Sequence, residues 1–132
     1  MAKKTWREKF NNGRQPEVCE LDDAKAARLK GRVMLVPVPA QVDAEIRKIP
    51  HGQTKTMKEV GDELARAHNA DFSCPMCMGI YWRIVAECAE EDRAEGKSDI
   101  TPYWRVTANG KPNPKLPGGA EHHKALIDSE KA

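Results

Sequence analysis

The 132-residue sequence has no long hydrophobic run and few aromatic residues, which make up 5% of the chain. No apolar stretch approaches the roughly 20 residues needed to cross a bilayer. The basic N-terminus is not followed by the apolar segment of a secretion signal. We therefore expect a cytoplasmic protein that makes no contact with a membrane.

The net charge of the chain is also small, and its cysteines are expected to be unpaired. The formal net charge is +2, from 22 Lys and Arg against 20 Asp and Glu, and there are four cysteines. A balance this close to neutral selects no class of partner, and no cofactor is expected. Without a secretion signal the cysteines are expected to be thiols rather than disulfides. The length fits one domain that buries a sizeable core.

Charge is unevenly distributed along the chain. Residues 1–14 are basic, with five cations against Glu8, and residues 87–95 are acidic, with five carboxylates against Arg93. The basic segment fits either contact with a polyanion or a solvated amphipathic helix. The acidic run is most simply the exposed end of a helix.

Two helical patterns occupy the centre of the chain. Thr56-Met57-Lys58-Glu59 has the form of a capping box, which predicts a helix start at Thr56. A second start is indicated by Ser73 and Pro75. The expected buried stripes are Val60, Leu64 and Ala67 on the first helix, and Cys77, Ile80, Ile84 and Cys88 on the second. The pair favours a helix-turn-helix, although any helical hairpin gives the same pattern.

The flanking segments predict shorter elements. Helices are expected over residues 3–12, 21–30 and 120–131, and the stripe Val42, Ile46 and Ile49 predicts another. Residues 34–39 are apolar and contain two prolines, so we expect an extended connector rather than a strand in a sheet. A short strand is expected within residues 100–106, followed by a turn at Asn109-Gly110. The fold class is therefore mainly α, a compact helical domain with at most a short β-hairpin.

The order of several motifs resembles one known family. Ile49-Pro50-x-Gly52 precedes the capped helix, Pro-x-x-Arg-Val follows the second helix at 102–106, and Asn109-Gly110 and Gly118-Gly119 come before the last helix. This order resembles the C-terminal domain of the O6-alkylguanine-DNA alkyltransferases and their non-catalytic alkyltransferase-like relatives. The resemblance covers roughly residues 40–130, so residues 1–39 are expected to be an N-terminal extension packing on a 40–132 domain. It implies a winged-helix type of helix-turn-helix that enters the minor groove of double-stranded DNA.

The reaction centre departs from the family pattern. Where the family has Pro-Cys-His-Arg-Val, this chain has Pro102-Tyr103-Trp104-Arg105-Val106. A phenol with a pKa near 10 is a poor nucleophile toward an alkyl carbon, and no imidazole stands next to it in sequence. The resemblance therefore implies a DNA-binding protein that recognises alkylated guanine for repair without transferring the alkyl group, rather than an enzyme.

The resemblance also implies roles for individual residues. Tyr103 and Trp104 would line or plug the pocket for a flipped base, Arg105 would support it, and Gly118-Gly119 would form part of its wall. Met57 stands where the family has a tyrosine that helps to rotate the phosphate. Met78 stands where an arginine fills the gap left by the base, and it would act as an apolar wedge. The expected phosphate contacts are Lys55, Lys58 and Arg83.

Two other function classes remain open. One is a protein-interaction or regulatory module that kept the fold and lost DNA binding. The other is a thiol enzyme, redox sensor or metal protein using Cys74 and Cys77, which have C-x-x-C spacing. A zinc site would need further ligands, and Cys88, His68 and His122-His123 show no second pair with metal spacing. His122-His123 are expected on an exposed helix face, and Cys77 and Cys88 are more simply explained as core residues on the apolar stripe.

Overall fold

The computed structural model describes residues 5–11 and 13–131, and half of the twelve elements in them are short strands or turns. Within these residues the helices are α1 (Trp6–Phe10), α2 (Asp23–Leu29), α3 (Pro39–Arg47), α4 (Met57–Ala67), α5 (Pro75–Ala94) and α6 (Gly119–Lys131). The strands are β1 (Glu17–Glu20), β2 (Val33–Val36), β3 (Lys55–Thr56), β4 (Phe72–Ser73) and β5 (Val106–Thr107), and Tyr103–Arg105 form a 3-10 turn. The prediction of a mainly helical, compact domain is confirmed, but the expectation of at most a short β-hairpin is wrong, because the strands form a three-stranded and a two-stranded sheet.

The capping box at the start of α4 is present as predicted. The Thr56 hydroxyl accepts a hydrogen bond from the Glu59 amide at 3.1 Å, and the Glu59 carboxylate accepts one from the Thr56 amide at 3.3 Å. Helix α4 buries Val60, Gly61, Leu64 and Ala65. Ala67 is exposed, so the predicted stripe is wrong there. A Cβ at position 61 would lie 3.3 Å from Ser73 Cβ, and this close approach to β4 turns the Gly61 side of the helix inward and Ala67 outward.

Helix α5 is the central element of the core. It has 20 residues and buries Met78, Tyr81, Trp82, Ile84, Val85, Ala86, Cys88 and Ala89. The predicted stripe is confirmed at Ile84 and Cys88, but Ile80 is 51% exposed and Cys77 is only half-buried. The middle of α5 is covered by neighbours on several sides, including α1, α3 and α4. Its first turns are covered on fewer sides. The spacing of apolar residues along a helix does not predict this difference.

A small sheet replaces the connector expected at residues 34–39. Strand β2 pairs antiparallel with β1, with Val18 opposite Leu35, and parallel with β4, with Leu35 opposite Ser73. The prediction of a connector is wrong because Pro37 and Pro39 come after Val36, so the four preceding residues keep the amides that the ladder needs. Leu35 is fully buried, and the segment before residue 40 therefore contributes to the same core as the helices.

The region after α5 forms less strand than expected. A second, two-stranded sheet pairs β3 parallel with β5, with Lys55 opposite Val106. Residues 100–102 are not a strand, and the 3-10 turn occupies the next three positions. The predicted turn at Asn109-Gly110 is confirmed, since both residues have positive φ (54° and 87°) and Ala108 bridges to Lys111. None of the helices in the described residues is long and apolar enough to cross a membrane.

Helix α6 is attached to the core through His123. This side chain is fully buried, so the expectation that both histidines of the His122-His123 pair face solvent is wrong for His123. Its Nδ1 accepts a hydrogen bond from the Asn113 amide at 2.9 Å, and its Nε2 lies 2.9 Å from the Val106 carbonyl and 3.1 Å from the Trp104 carbonyl. These partners require a neutral imidazole whose Nε2 carries the hydrogen. One ring thus joins three backbone segments.

Burial lowers the pKa of His123 below its usual 6.5. The unfolded chain therefore binds a proton at this histidine more readily than the folded chain does. The stability that the buried neutral imidazole contributes is complete above about pH 6.5 and is lost as the pH falls. We expect His123→Gln to flatten the decline in unfolding free energy between about pH 7.5 and about 5.5. Urea titrations of both proteins across this range measure the decline. His51→Gln, at a side chain that is 70% exposed, is the comparison at the surface. Parallel curves for wild type and His123→Gln would contradict this assignment.

Candidate binding groove beside the central helix

An open groove of about 1130 Å³ runs along the N-terminal half of α5. Its walls come from the first turns of α4, from α1, from the loop around residues 108–115 and from the segment that leads from β4 into α5. Gly79 lies in the lining and adds no side chain to fill the space. A Cβ at Gly79 would meet no atom within 4 Å.

Two exposed apolar side chains stand in this groove. Met76 is 72% exposed and Ile80 is 51% exposed, and their four-residue spacing places them on one face of α5. Met57 and Met78 also line the groove, and Met78 is only 3% exposed. Apolar side chains presented together in a concave surface are a mark of a binding site rather than of chance exposure.

The groove is bordered mainly by cations. Its lining includes the charged side chains of Lys9, Lys30, Lys58, Arg83 and Lys115, against Asp62 and Asp71. Lys58 is 2.8 Å from Asp62. Asp71 accepts hydrogen bonds from the Arg32 and Val33 amides, which lower its pKa and keep it charged. The remaining four cations form no ion pair with any side chain that the structure describes. Arg83 and Lys9 lie near Glu87, where their charges oppose the rise that burial causes in its pKa. The border still carries more positive than negative charge.

Helix α1 supplies one side of this border through Trp6. The Lys9 ammonium lies 4.4 Å from the centre of the Trp6 ring, and the Arg83 guanidinium carbon lies 5.2 Å from it. A salt bridge of 2.8 Å between Arg7 and Asp92 fastens α1 to α5. Cation–π contact of this kind holds Arg83 at the edge of the groove with its charge available to a ligand.

The structure brings together four of the residues expected to contact DNA. Met57, Lys58, Met78 and Arg83 all line the groove, whereas Lys55, Tyr103, Trp104, Arg105, Gly118 and Gly119 do not. Lys55 is paired with Glu63 at 2.5 Å. Met78, expected as the wedge, lies beneath the surface, and Met76 is the methionine that protrudes. Sequence reasoning missed Met76 and Ile80 as surface residues, and it missed Lys30 and Lys115 altogether.

The position of the family nucleophile is filled. Tyr103 is fully buried, and its hydroxyl donates a hydrogen bond to the Glu90 carboxylate at 2.5 Å. Burial, followed by this hydrogen bond to a charged partner, raises the pKa of Tyr103 well above its usual value. Glu90 also forms a salt bridge of 3.1 Å with Arg93. The phenol therefore remains protonated and closed to solvent, and it offers no nucleophile.

Side chains around Tyr103 close the same region. The Arg93 guanidinium lies 5.6 Å from the centre of the Trp104 ring, and the His122 imidazole is 3.4 Å from Glu90. A Cβ at Gly118 would lie 2.7 Å from His122, and φ there is +81°, so glycine is required where the chain turns past this histidine. Trp104 Nε1 is buried without hydrogen-bond geometry to a described partner, although its proximity helps to lower the pKa of Glu130.

Restoring a thiol at this position is not expected to restore alkyl transfer. Cysteine in place of Tyr103 would be buried, which disfavours the thiolate, and Trp104 provides no imidazole to take its proton. We expect Tyr103→Cys to acquire no label from DNA that carries a radiolabelled methyl group on guanine O6. Protein-bound radioactivity after gel separation measures this, with the wild-type protein as the matched background. Stoichiometric labelling of the variant would show that the pocket is open.

Arg105 has a structural role at the junction of the 3-10 turn and α6. Its guanidinium donates to both carboxylate oxygens of Glu130, at 2.9 Å and 2.8 Å, and to the Ile49 carbonyl at 2.8 Å. Both charged side chains are largely buried, with 16% and 11% of their surface exposed. Arg105 thereby ties α6 to the end of α3.

The C-x-x-C pair lies at the first turn of α5. Cys74 is the residue that caps the helix, and its sulfur accepts a hydrogen bond from the Cys77 amide at 3.3 Å. All four cysteines are free thiols. Within the described residues, no group of three or more His, Cys, Asp or Glu side chains is arranged to hold a metal ion.

The chain was compared with protein-family models, with curated proteins and with solved structures, and none of the three comparisons found a match. The function of the groove is therefore argued from its own chemistry.

Proposed function

We propose that this protein is a non-catalytic DNA-binding protein of the alkyltransferase-like kind. In this proposal α4 and α5 act as a helix-turn-helix of the winged-helix type, and the groove side of α5 faces the duplex. The observation that carries the proposal is the Met76 and Ile80 pair, exposed on one face of α5 and bordered by cations that lack ion-pair partners. That combination suits a polyanion whose interior is apolar.

The chemistry of duplex DNA matches both parts of the groove. Lysine and arginine side chains position a protein by contacting phosphates, and the counterions they release drive binding. Apolar side chains that protrude between such cations can insert at base steps of the minor groove. Met76 and Ile80 have the exposure and shape for this, and Lys58 and Arg83 lie beside them in the groove.

The acidic end of α5 is compatible with this arrangement. Helix α5 has 20 residues and is therefore about 30 Å long. Its acidic residues 87–95 lie toward the other end, and fields between exposed charges are screened over about 8 Å at physiological salt. Glu90 and Asp92 are moreover paired with Arg93 and Arg7. Repulsion from this end has little effect at Met76.

Recognition without transfer follows from the filled reaction centre. Tyr103 offers no nucleophile, so bound DNA would leave unchanged and the protein would mark a site for other repair factors. Recognition of a flipped alkylated guanine would require the side chains that close the region of Trp104 to move apart, since a flipped base needs an aromatic or apolar surface on which to stack. The lesion is therefore tested separately from DNA binding itself.

Fluorescence anisotropy of a labelled duplex tests the proposal. Plain duplex and duplex with one O6-methylguanine are titrated at low and at physiological salt. Tighter binding to the lesion supports damage recognition, and equal but salt-sensitive binding supports a general DNA-binding module. Absence of binding at low salt, with a native circular dichroism spectrum, would overturn the proposal.

A protein-interaction module is the second candidate, and one observation favours it. Three methionines, Met57, Met76 and Met78, line the groove together. Methionine is flexible and polarisable, and surfaces rich in it accept apolar faces of partner helices. If the folded protein does not bind the duplex at low salt, the groove is better explained as a site for a protein partner.

A further inference from the structure

Cys74 and Cys77 are placed as a reacting pair at the start of α5. Cys74 is the N-cap and Cys77 is the third helical residue, with Pro75 fixing the turn between them. The Cys74 side chain folds over the first turn, since its sulfur accepts the Cys77 amide at 3.3 Å. Residues three apart on a helix are neighbours, with Cβ atoms about 5–6 Å apart, and Cys74 has the non-helical φ of −54° and ψ of 114° of the N-cap.

We propose that Cys74 and Cys77 form a dithiol that low-molecular-weight disulfides oxidise reversibly to an intramolecular disulfide, which reshapes the turn carrying Met76. The site itself does not depend on DNA binding. Its effect on binding rests on the proposed function above.

The reaction is two successive thiol–disulfide exchanges. The Cys74 thiolate attacks one sulfur of the oxidant, the oxidant's S–S bond breaks, and one small thiolate leaves and takes up the proton that Cys74 lost. Cys77 then loses its proton and attacks the Cys74 sulfur of the mixed disulfide, and the second small thiolate leaves and is protonated. The pair of thiols has lost two hydrogen atoms, and the oxidant has been reduced to two thiols.

The two sulfurs have different surroundings. Cys74 is 8% exposed, and its sulfur accepts the Cys77 amide at the first turn of the helix. The pKa of Cys77 is raised to about 12 by burial and then by its hydrogen bond and charge interaction with Cys74. Once Cys74 is in a mixed disulfide it can no longer carry charge, so the charge interaction disappears and Cys77 becomes the better nucleophile when the second exchange requires it.

The other two thiols have no neighbouring cysteine with which to form a disulfide. Cys88 is 3% exposed, buried as Cys74 is at 8%, and burial raises its pKa to about 11. Cys19 lies in β1 opposite Met34. Neither has a second cysteine within one helical turn, so disulfide formation is expected only at the first turn of α5.

Oxidation would act on the groove because Met76 lies between the two cysteines. A disulfide needs Cβ atoms about 3.5–4.5 Å apart, so it draws the N-cap toward the third helical residue and replaces the Cys77 amide contact. The segment that presents Met76, which is 72% exposed, changes conformation as a result. We expect oxidised protein to bind the duplex at least about fivefold more weakly than reduced protein.

Intact mass after equilibration in glutathione buffers of increasing oxidised fraction tests the site. Wild type should lose the mass of two hydrogen atoms, regain it with excess reduced glutathione, and give a Cys74–Cys77 linked peptide. Cys77→Ser should instead retain one glutathione on Cys74. Cys74→Ser keeps a good helix cap, because serine favours that position, and it should be modified more slowly.

Controls separate this proposal from the DNA-binding proposal. Cys19→Ser should behave as wild type in the mass measurement. No loss of hydrogen in native wild type, a disulfide that includes Cys19 or Cys88, or faster modification of Cys74→Ser than of Cys77→Ser would overturn the site. Unchanged affinity after complete oxidation would overturn the effect on the groove, whereas reduced protein that does not bind DNA contradicts the proposed function alone.

Discussion

Replacing Arg105 with methionine is expected to lower the free energy of unfolding by about 3–5 kcal/mol. The guanidinium forms a bidentate salt bridge with Glu130, with hydrogen bonds of 2.9 Å and 2.8 Å, and it also donates a hydrogen bond to the Ile49 carbonyl at 2.8 Å. Methionine occupies similar volume but donates nothing, so the variant keeps a largely buried carboxylate without its cation. The uncompensated charge dominates the loss.

The pH dependence of this loss identifies its cause. Arg105 is the main reason that the pKa of Glu130 lies below its usual 4.5. A carboxyl whose pKa is depressed by folding contributes stability above its unfolded pKa, and that contribution is lost as the pH falls through the folded pKa. In the variant Glu130 can be protonated with less penalty. The gap between wild type and Arg105→Met should therefore narrow as the pH is lowered toward about 4.

Urea unfolding followed by circular dichroism measures both effects. The matched control is Lys48→Met, which removes an ion pair with Glu45 at 3.0 Å whose lysine side chain is 71% exposed. Exposed pairs contribute at most about 1 kcal/mol. A loss for Arg105→Met that is no larger than the control, or a gap that stays constant with pH, would show that the pair is not buried as described.

Local signals in the sequence were sufficient for several elements. The capping box at Thr56, the stripe of Val42, Ile46 and Ile49, and the Asn109-Gly110 turn each involve residues within one or two turns of chain. The backbone there follows from hydrogen bonds and φ preferences of neighbours, so no distant contact has to be known. These are the parts of the fold that the structure reproduces as predicted.

Features that depend on distant segments were not predictable in this way. His123 looks like a polar helix residue, yet the Asn113 amide and the Val106 carbonyl converge on its ring. Strand β2 looked like a connector because its place in a sheet depends on β1 and β4. In both cases the partner lies outside the local window, and periodicity carries no information about it.

The candidate site likewise contains residues that local sequence predicted and residues whose exposure depends on distant packing. Lys58 and Arg83 were chosen because they belong to the two central helices, and the structure places both in the groove. Ile80 was expected in the buried stripe because an apolar side chain on a helix is ordinarily assigned to the core, and Met76 was given no role. Their exposure depends on how far α1 and α4 cover α5, and this cannot be predicted from the local sequence.

Arg83 is expected to show the largest effect on DNA binding. About four phosphate contacts at the groove would give a slope of about −3.6 in log K against log salt. Arg83→Gln removes one of them, so the slope should become shallower by about one and the affinity at physiological salt should fall about fivefold. Arg83→Glu places a carboxylate against the phosphates, and like-charge contact of this kind costs several kcal/mol. We expect that variant to bind at least about a hundredfold more weakly.

The graded series separates electrostatics from unfolding. Loss of the Arg83 contact with Trp6 costs about 0.5–1 kcal/mol at an exposed site, which is too little to unfold the domain. Lys124, exposed on α6 and outside the groove lining, provides the control. Lys124→Gln and Lys124→Glu change net charge by the same amounts as the Arg83 variants, so they should leave the anisotropy titrations close to wild type. Equal weakening at both positions would mean that DNA responds to overall charge, and a slope near zero in wild type would exclude phosphate docking at this groove.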